Sequence, residues 1–245
     1  MKILLGVPVH QDPDIFREYL ASLDRLEIPK GFTLDRCFYL HNCPDLSGML
    51  KGTDKILFND RKTVYDTSGK THNWTEENLT EVARMKNEMI NLCLEGGYDY
   101  YLLVDSDIIL HPKTLKRLVE RDKPIISEIY WTEWVEGTGK YGPNCWDTDL
   151  ITTENEEKYR VPGLHPVGGT GALILIKREV LEKQVDYTPI YNVSFSIYED
   201  RAFSIRAACA GYQLYTDSTL PARHLYRRKD YEKYMRKKVG HENKS

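Results

Sequence analysis

Two pairs of carboxylates and one histidine have types and spacings that could do chemistry. Asp105 and Asp107, with Ser106 between them, interrupt the apolar stretch "YYLLVDSDIIL" at residues 100–110. Acids two apart in an extended segment point the same way, so both can reach one hard divalent cation. The alternative is a polar strand end whose acids are solvated or cap the next helix. Glu199 and Asp200 open "EDRAFSIRAACAG", where an acid can cap a helix and meet its positive end, or take a proton from a hydroxyl. His224 in "LPARHLYR" follows a predicted strand. It is either a packing or surface residue or an imidazole ligand suited to an ion such as Mn²⁺.

Other segments offer binding groups. Pro8, Val9 and His10 in "GVPVH" could present backbone to a base or ribose, or form a plain strand-to-helix loop. Arg84 and Asn87, three apart on a predicted helix, could face a pyrophosphate or be solvated. "SGKT" at 68–71 is no phosphate loop, since that motif needs glycine where Val64 stands and a strand just before it. The loop "WTEWVEGTGKYGPNCWDTD" carries Trp131, Trp134, Tyr141 and Trp146, which suit stacking on a sugar ring or base, or a hydrophobic plug over the sheet. The basic "RRKDYEKYMRKK" could reach an anionic acceptor such as a lipid phosphate or nucleic acid, or pack through Tyr226, Tyr231 and Tyr234.

The elements that must hold these residues alternate. "KILLGVPV", "FTLDRCFYLHN", "DKILFND", the stretch from residue 100 to Val104, beyond which Asp105 and Asp107 leave the sheet's carboxyl edge, and "PIISEIYW" read as strands. Between them "DPDIFREYLASLDRL" is a helix with Asp12 as cap and Pro13 first. "TEENLTEVARMKNEMINLCLEGG" is a second helix, stopped at Gly96 and Gly97, and "HPKTLKRLVERD" a third. Further on come the strand in "GGTGALILIKREVLEK", the helix and strand in "YEDRAFSIRAACAGYQLYTD", and the basic helix. This order predicts an α/β fold whose mainly parallel sheet is covered by helices on both faces, with ligands at the carboxyl ends of its strands.

At 245 residues, 41% hydrophobic and 29% charged with a formal net charge of -3, the chain is an ordinary globular one, read as a single domain. The charge excludes a protein built overall to grip polyanions. Five cysteines without a C-x-x-C pair predict reduced thiols, and the short apolar run before Pro8 predicts a cytoplasmic protein without a transmembrane segment.

In order and spacing, "GVPVH", "ARMKNEMI", "YYLLVDSDIIL", "GGTGALILIKREV", "YEDRAFSIRAACAGYQLYTD" and "RHLYR" resemble GT-A glycosyltransferases, the family 2-like enzymes especially. The resemblance implies one GT-A, Rossmann-like domain over 1–245. Its nucleotide-sugar half is about 1–110, its acceptor half about 111–226, and the basic helix follows at 227–245. It implies an inverting transfer from a UDP- or GDP-linked sugar to an acceptor hydroxyl. It further implies Mn²⁺ or Mg²⁺ held by Asp107, with Asp105 nearer the ribose or metal and His224 completing the shell. Asp200 matches the catalytic base, with Glu199 as second choice. Pro8, Val9, His10, Asn42, Arg84, Asn87 and Ser106 then face the nucleotide-sugar, and Gly168, Gly169, Thr170 and Trp146 the donor sugar and acceptor. The acid usual after the second strand is replaced by "LHNCPD", leaving Asn42 or Asp45 for the base. Two other readings remain. A nucleotidyltransferase would need a glycine-rich phosphate loop that "GVPVH" does not supply, and a non-catalytic nucleotide-sugar or carbohydrate-binding module would need no positioned base.

Overall fold

The computed structural model describes residues 1–61, 63, 75–147, 156–191 and 198–242, with backbone alone for 240–242. "SGKT" and part of the aromatic loop lie outside them.

In chain order the described residues form β1 (Lys2–Val9), α1 (Pro13–Asp24), β2 (Thr33–His41), β3 (Lys55–Asn59), α2 (Glu76–Glu95), β4 (Tyr100–Val104), β5 (Ile108–Ile109), α3 (Thr114–Glu120), β6 (Ile125–Thr132), β7 (Gly142–Pro143), β8 (Cys145–Trp146), β9 (Leu164–Val167), β10 (Gly169–Thr170), β11 (Leu173–Lys177), α4 (Arg178–Leu181), α5 (Glu199–Cys209), β12 (Leu214–His224) and α6 (Arg228–Glu242). Asp12 caps α1, accepting the Asp14 N–H at 2.8 Å with Pro13 at the first helical position. Thr75 caps α2.

The sheet order is β3-β2-β1-β4-β11-β6-β12-β5. The strands β1 to β4 are parallel, as are β6 and β12, and β11 runs against both β4 and β6. The reversal has a local cause. The chain enters β11 through "GGTGA" at the carboxyl edge, so its first residue, Leu173, pairs with Val104, the last of β4.

Alternation along the strands divides the core. One side of the sheet packs against α1, α3 and the α6 tyrosines Tyr231 and Tyr234, the other against α2, α4 and α5. Phe16 of α1 and Phe38 of β2, both fully buried, meet edge to face at 6.0 Å. Each such side chain contributes about 1.5–3 kcal/mol by leaving water. Gly6 sits within β1 because a Cβ there would stand 2.7 Å from the Tyr101 ring.

The strand in 100–110 ends at Val104, where the sequence places the edge of the core, and a second short strand follows the acids. The Tyr19 hydroxyl donates to the Val104 carbonyl at 3.0 Å, and the Ile108 N–H returns to the Asp105 carbonyl at 3.0 Å. The chain turns at the acids and leaves in a new direction, so β5 pairs with β12 instead of continuing β4.

Candidate active site

A cleft of about 710 Å³ opens at the carboxyl edge of the sheet. The end of β1 supplies Pro8, Val9 and His10, and the turn after β4 supplies Asp105, Ser106 and Asp107. The far wall is Tyr226 to Lys229, where β12 passes into α6. Among the described residues, "GGTGA" braces the acid turn from behind. The Asp105 N–H donates to the Ala172 carbonyl at 2.7 Å, and Ala172 is left-handed with φ 63° while Leu173 N–H closes onto the Gly171 carbonyl at 2.8 Å. A non-glycine residue in such a tight turn stores on the order of 1–3 kcal/mol, which the surrounding packing must offset.

Asp107 meets the residue predicted to join it. Its Oδ2 is 3.3 Å from His224 Nε2, and its carbonyl accepts the Leu225 N–H at 2.9 Å. His224 is fixed on its other side by Thr132 Oγ1, 2.7 Å from Nδ1, and by the rings of Tyr130, Tyr226 and Trp134 at 4.8, 4.9 and 6.1 Å. With Nδ1 engaged, Nε2 faces Asp107. The other carboxylate oxygen, Asp107 Oδ1, is buried without a hydrogen-bond partner among the described residues. A carboxylate and an imidazole with one carboxylate oxygen unsatisfied fit Mn²⁺ or Mg²⁺. Among the described residues no three His, Cys, Asp or Glu side chains are grouped to hold a metal by themselves. The protein donors would therefore need oxygens from a ligand, as phosphates provide for Mg²⁺.

The second acid pair is held differently. Lys86 reaches inward from α2 and donates to Glu199 Oε1 at 2.9 Å and Asp200 Oδ1 at 3.1 Å, with its ammonium 4.9 Å from the Tyr187 ring centroid. Burial works against the Lys86 charge, but Asp200 and Glu199 outweigh it and hold the amine well above its usual range. Burial raises the Asp200 carboxyl to about 6 against the pull of Lys86. Burial also raises Asp105 to about 8, with Lys86 opposing and Asp107 adding to the rise.

No family model matches the chain. Inactive glycosyltransferase 25 family member 3 of Mus musculus is 25% identical over 233 residues, 87% of this chain and 38% of that protein. Procollagen-lysine,2-oxoglutarate 5-dioxygenase 2 of Mus musculus is 31% identical over 147 residues, 59% of this chain and 18% of that protein. The chain thus spans about two fifths or less of these relatives. Among solved structures, GalNAc-T7 with UDP, GalNAc and Mn²⁺ superposes at a TM-score of 0.58 with 13% identity, over 93% of this chain and 44% of that one. TarS 1–349 of S. aureus superposes at 0.53 with 13% identity, over 91% and 60%. The fold is GT-A. In sequence the chain is glycosyltransferase-like, with relatives that carry the family 25 name and not that of family 2.

Within the GT-A frame the predicted residues fall into three groups. Pro8, Val9, His10, Asp105, Ser106 and Asp107 share the cleft, with His224 against Asp107. Glu199 and Asp200 stand together on α5 beside "GGTGA", and a Cβ at Gly171 would coincide with the Asp200 carboxylate. Gly169 and Thr170 pair with Trp146 and Cys145, and the Trp146 ring lies where a Gly169 Cβ would be. Gly168 joins them, its N–H donating to the Trp146 carbonyl at 2.8 Å.

Three residues are placed elsewhere. Arg84 does not reach the cleft, because Glu81, Glu88 and the Tyr39 hydroxyl take its guanidinium. Asn87 instead ties down the 187–188 backbone, accepting from Tyr187 N–H at 2.8 Å and donating to Thr188 Oγ1 at 3.0 Å. Asn42 is left-handed at φ 54° and lines a shallow separate pocket with Phe58. The aromatic loop residues form no common platform. Trp134 edges His224, Trp131 lies 3.9 Å under the Arg160 guanidinium, and Trp146 lies under Arg201.

Three cations of the basic helix pair with acids of the body. Arg228 pairs with Asp12 and Asp14, Lys229 with Glu133 and Glu136, and Lys238 with Glu18. Sequence reasoning missed Lys86 and the 227–229 wall. Lys86 left a trace, since it stands four residues from Val82 and seven from Cys93 on the apolar stripe of α2, where a solvated lysine does not belong.

Proposed function

We propose that this chain is a metal-dependent, inverting glycosyltransferase that moves a hexosyl or pentosyl group from a nucleoside-diphosphate sugar to an acceptor hydroxyl. The observation that carries the reading is the Asp107–His224 pair with its unsatisfied Oδ1 on one side of the carboxyl edge and the Lys86-bound Asp200 on the other. Asp107 and His224, with Asp105 beside them, would hold the ion. When bound, the ion offsets negative charge on the departing nucleoside diphosphate.

The protein's own residues do the rest. The end of β1 at Pro8 to His10 lies along the cleft where a nucleoside would sit. Arg228 and Lys229 line the far wall, unlike Arg84, although Asp12, Asp14, Glu133 and Glu136 already neutralise part of their charge. Asp200 accepts the acceptor proton through Oδ2, since Lys86 occupies Oδ1. The acceptor oxygen then bonds to the anomeric carbon from the face opposite the leaving group, and the bond from that carbon to the phosphate oxygen breaks with its electron pair. Inversion follows. Glu199, whose side chain is 12% exposed against 26% for Asp200, is the less accessible base. In this reading residues 1–110 serve the donor and 111–226 the acceptor.

The family 2-like likeness rests on motif order, whereas the sequence relatives carry the family 25 name. The word "inactive" in one relative's name favours a second reading, a nucleotide-sugar-binding module without transfer. Asp200→Asn separates the two. The transferase reading expects metal-dependent nucleoside diphosphate binding within threefold of wild type and a loss in kcat of about 10²–10⁴-fold. A wild type that binds without transferring, or an Asp200→Asn that transfers like wild type, contradicts it.

A further inference from the structure

Lys86 lies on the inward stripe of α2 between Val82 and Met89 and is 1% exposed. An ammonium buried that deeply is costly unless paired, and its partners are the two acids that open α5, 113 and 114 residues later in the chain.

We propose that Lys86 is the positioning residue of the transfer centre, binding Asp200 Oδ1 so that Oδ2 is the oxygen presented to the acceptor hydroxyl. This rests on Asp200 acting as base. Three features of the structure carry it. The carboxylate is clamped from both sides, by the Lys86 ammonium at Oδ1 and by Gly171 at Oδ2, where no Cβ fits. The two acids are unequal, for Lys86 holds Glu199 at 2.9 Å in a site more closed than that of Asp200. The Tyr187 ring lies over the ammonium and is itself fully buried against Phe203 of α5 at 4.8 Å, which restricts where Lys86 can point. The clamp therefore joins α2, α5 and the "GGTGA" turn at one oxygen pair, and the geometry of proton transfer depends on a residue that does not itself touch the reacting atoms.

The test uses Lys86→Met, Lys86→Arg and the double variant Lys86→Met/Glu199→Gln, which removes the acid left unpaired if the single variant fails to fold. Release of nucleoside diphosphate is followed with UDP-glucose, UDP-galactose, UDP-N-acetylglucosamine and GDP-mannose in Mn²⁺. UDP binding in Mn²⁺ is measured by calorimetry. Lys86→Met and the double variant are expected to lose about 10²-fold in kcat with the UDP Kd within threefold of wild type, and Lys86→Arg to regain at least tenfold. A kcat within threefold of wild type overturns the proposal, as does a Kd that weakens in step with kcat or an arginine variant no better than methionine. If Asp200→Asn is dead and Lys86→Met is not, the Lys86 assignment fails alone. If Asp200→Asn is fully active, the base and the clamp fail together. A readout free of activity decides the case in which no donor turns over. In a crystal structure of Lys86→Met the Asp200 carboxylate is expected to rotate away from Gly171, and an unmoved carboxylate overturns the proposal.

Discussion

The acid pair after β4 and the acid pair at the start of α5 lie near the same edge of the sheet, yet the protein treats their charge in opposite ways. Glu199 and Asp200 receive an internal cation, Lys86, at 2.9 and 3.1 Å. Among the described residues the Asp107 carboxylate meets His224 and has one buried oxygen without a partner, while Asp105 is pushed up to about 8 mainly by burial. Lys86 bonds directly to one pair and acts on Asp105 only through space, so the protein has built a fixed centre and a receptive one. The first suits a base whose orientation must not change, the second an ion that comes with its ligand.

A third acid pair sharpens the contrast. Glu128 of β6 and Asp217 of β12 face each other in register and are fully buried away from the cleft, with Arg121 paired to Asp217. Glu128 Oε2 also lacks a partner among the described residues. Burial, and then the Asp217 charge, push its carboxyl up to about 9. The sealed orphan keeps a proton, whereas the orphan on Asp107 lines a cleft that a ligand can enter.

The largest effect is expected at the receptive pair. Asp107→Ala should abolish metal-dependent UDP binding and lower transfer on the order of 10³-fold, read by calorimetry and donor turnover. Binding that survives with its metal dependence intact would erase the distinction between the two pairs. A smaller change is expected from Thr132→Val, which frees His224 Nδ1 without touching Asp107. Metal affinity should fall about tenfold or somewhat more, with the nucleotide affinity in EDTA unchanged.

Glu128→Gln should leave UDP binding as it is and alter stability alone. The folded-state value near 9 lies above the ordinary 4.5. The group's stabilising contribution is therefore complete below about 4.5, declines as pH rises and is lost by about 9. Glutamine stays neutral, so the variant should gain on the order of 1–3 kcal/mol at pH 8 and little at pH 4.5, read by thermal melting at both pH values. A gain equal at the two pH values would show that Glu128 is already ionised in the fold.

Much of this architecture is written locally in the sequence. The apolar runs and capped helices define β1, α1, β2, β3 and α2 because each depends on its own periodicity and end residues. The acids, His224 and the glycine turn are legible for the same reason, as chemistry-bearing residues at predicted strand and helix ends. What could not be read is which helix faces meet. Arg84 and Lys86 are two residues apart on α2; Glu81 and Glu88 stand three and four residues from Arg84 on the same helix, so that pairing is local, whereas nothing local says that α5 would take Lys86. The break after Val104 is legible from the acids, but the short strand β5 beyond them is not, because only its pairing with the distant β12 makes it one.

The most direct test of the receptive centre is calorimetry of the wild-type chain with UDP and with GDP, in Mn²⁺, in Mg²⁺ and in EDTA. At least one nucleoside diphosphate is predicted to bind at least tenfold more tightly with metal than in EDTA. Equal affinity in metal and EDTA, or no binding of either nucleotide under any condition, would contradict a metal-dependent nucleotide-sugar site at Asp105, Asp107 and His224.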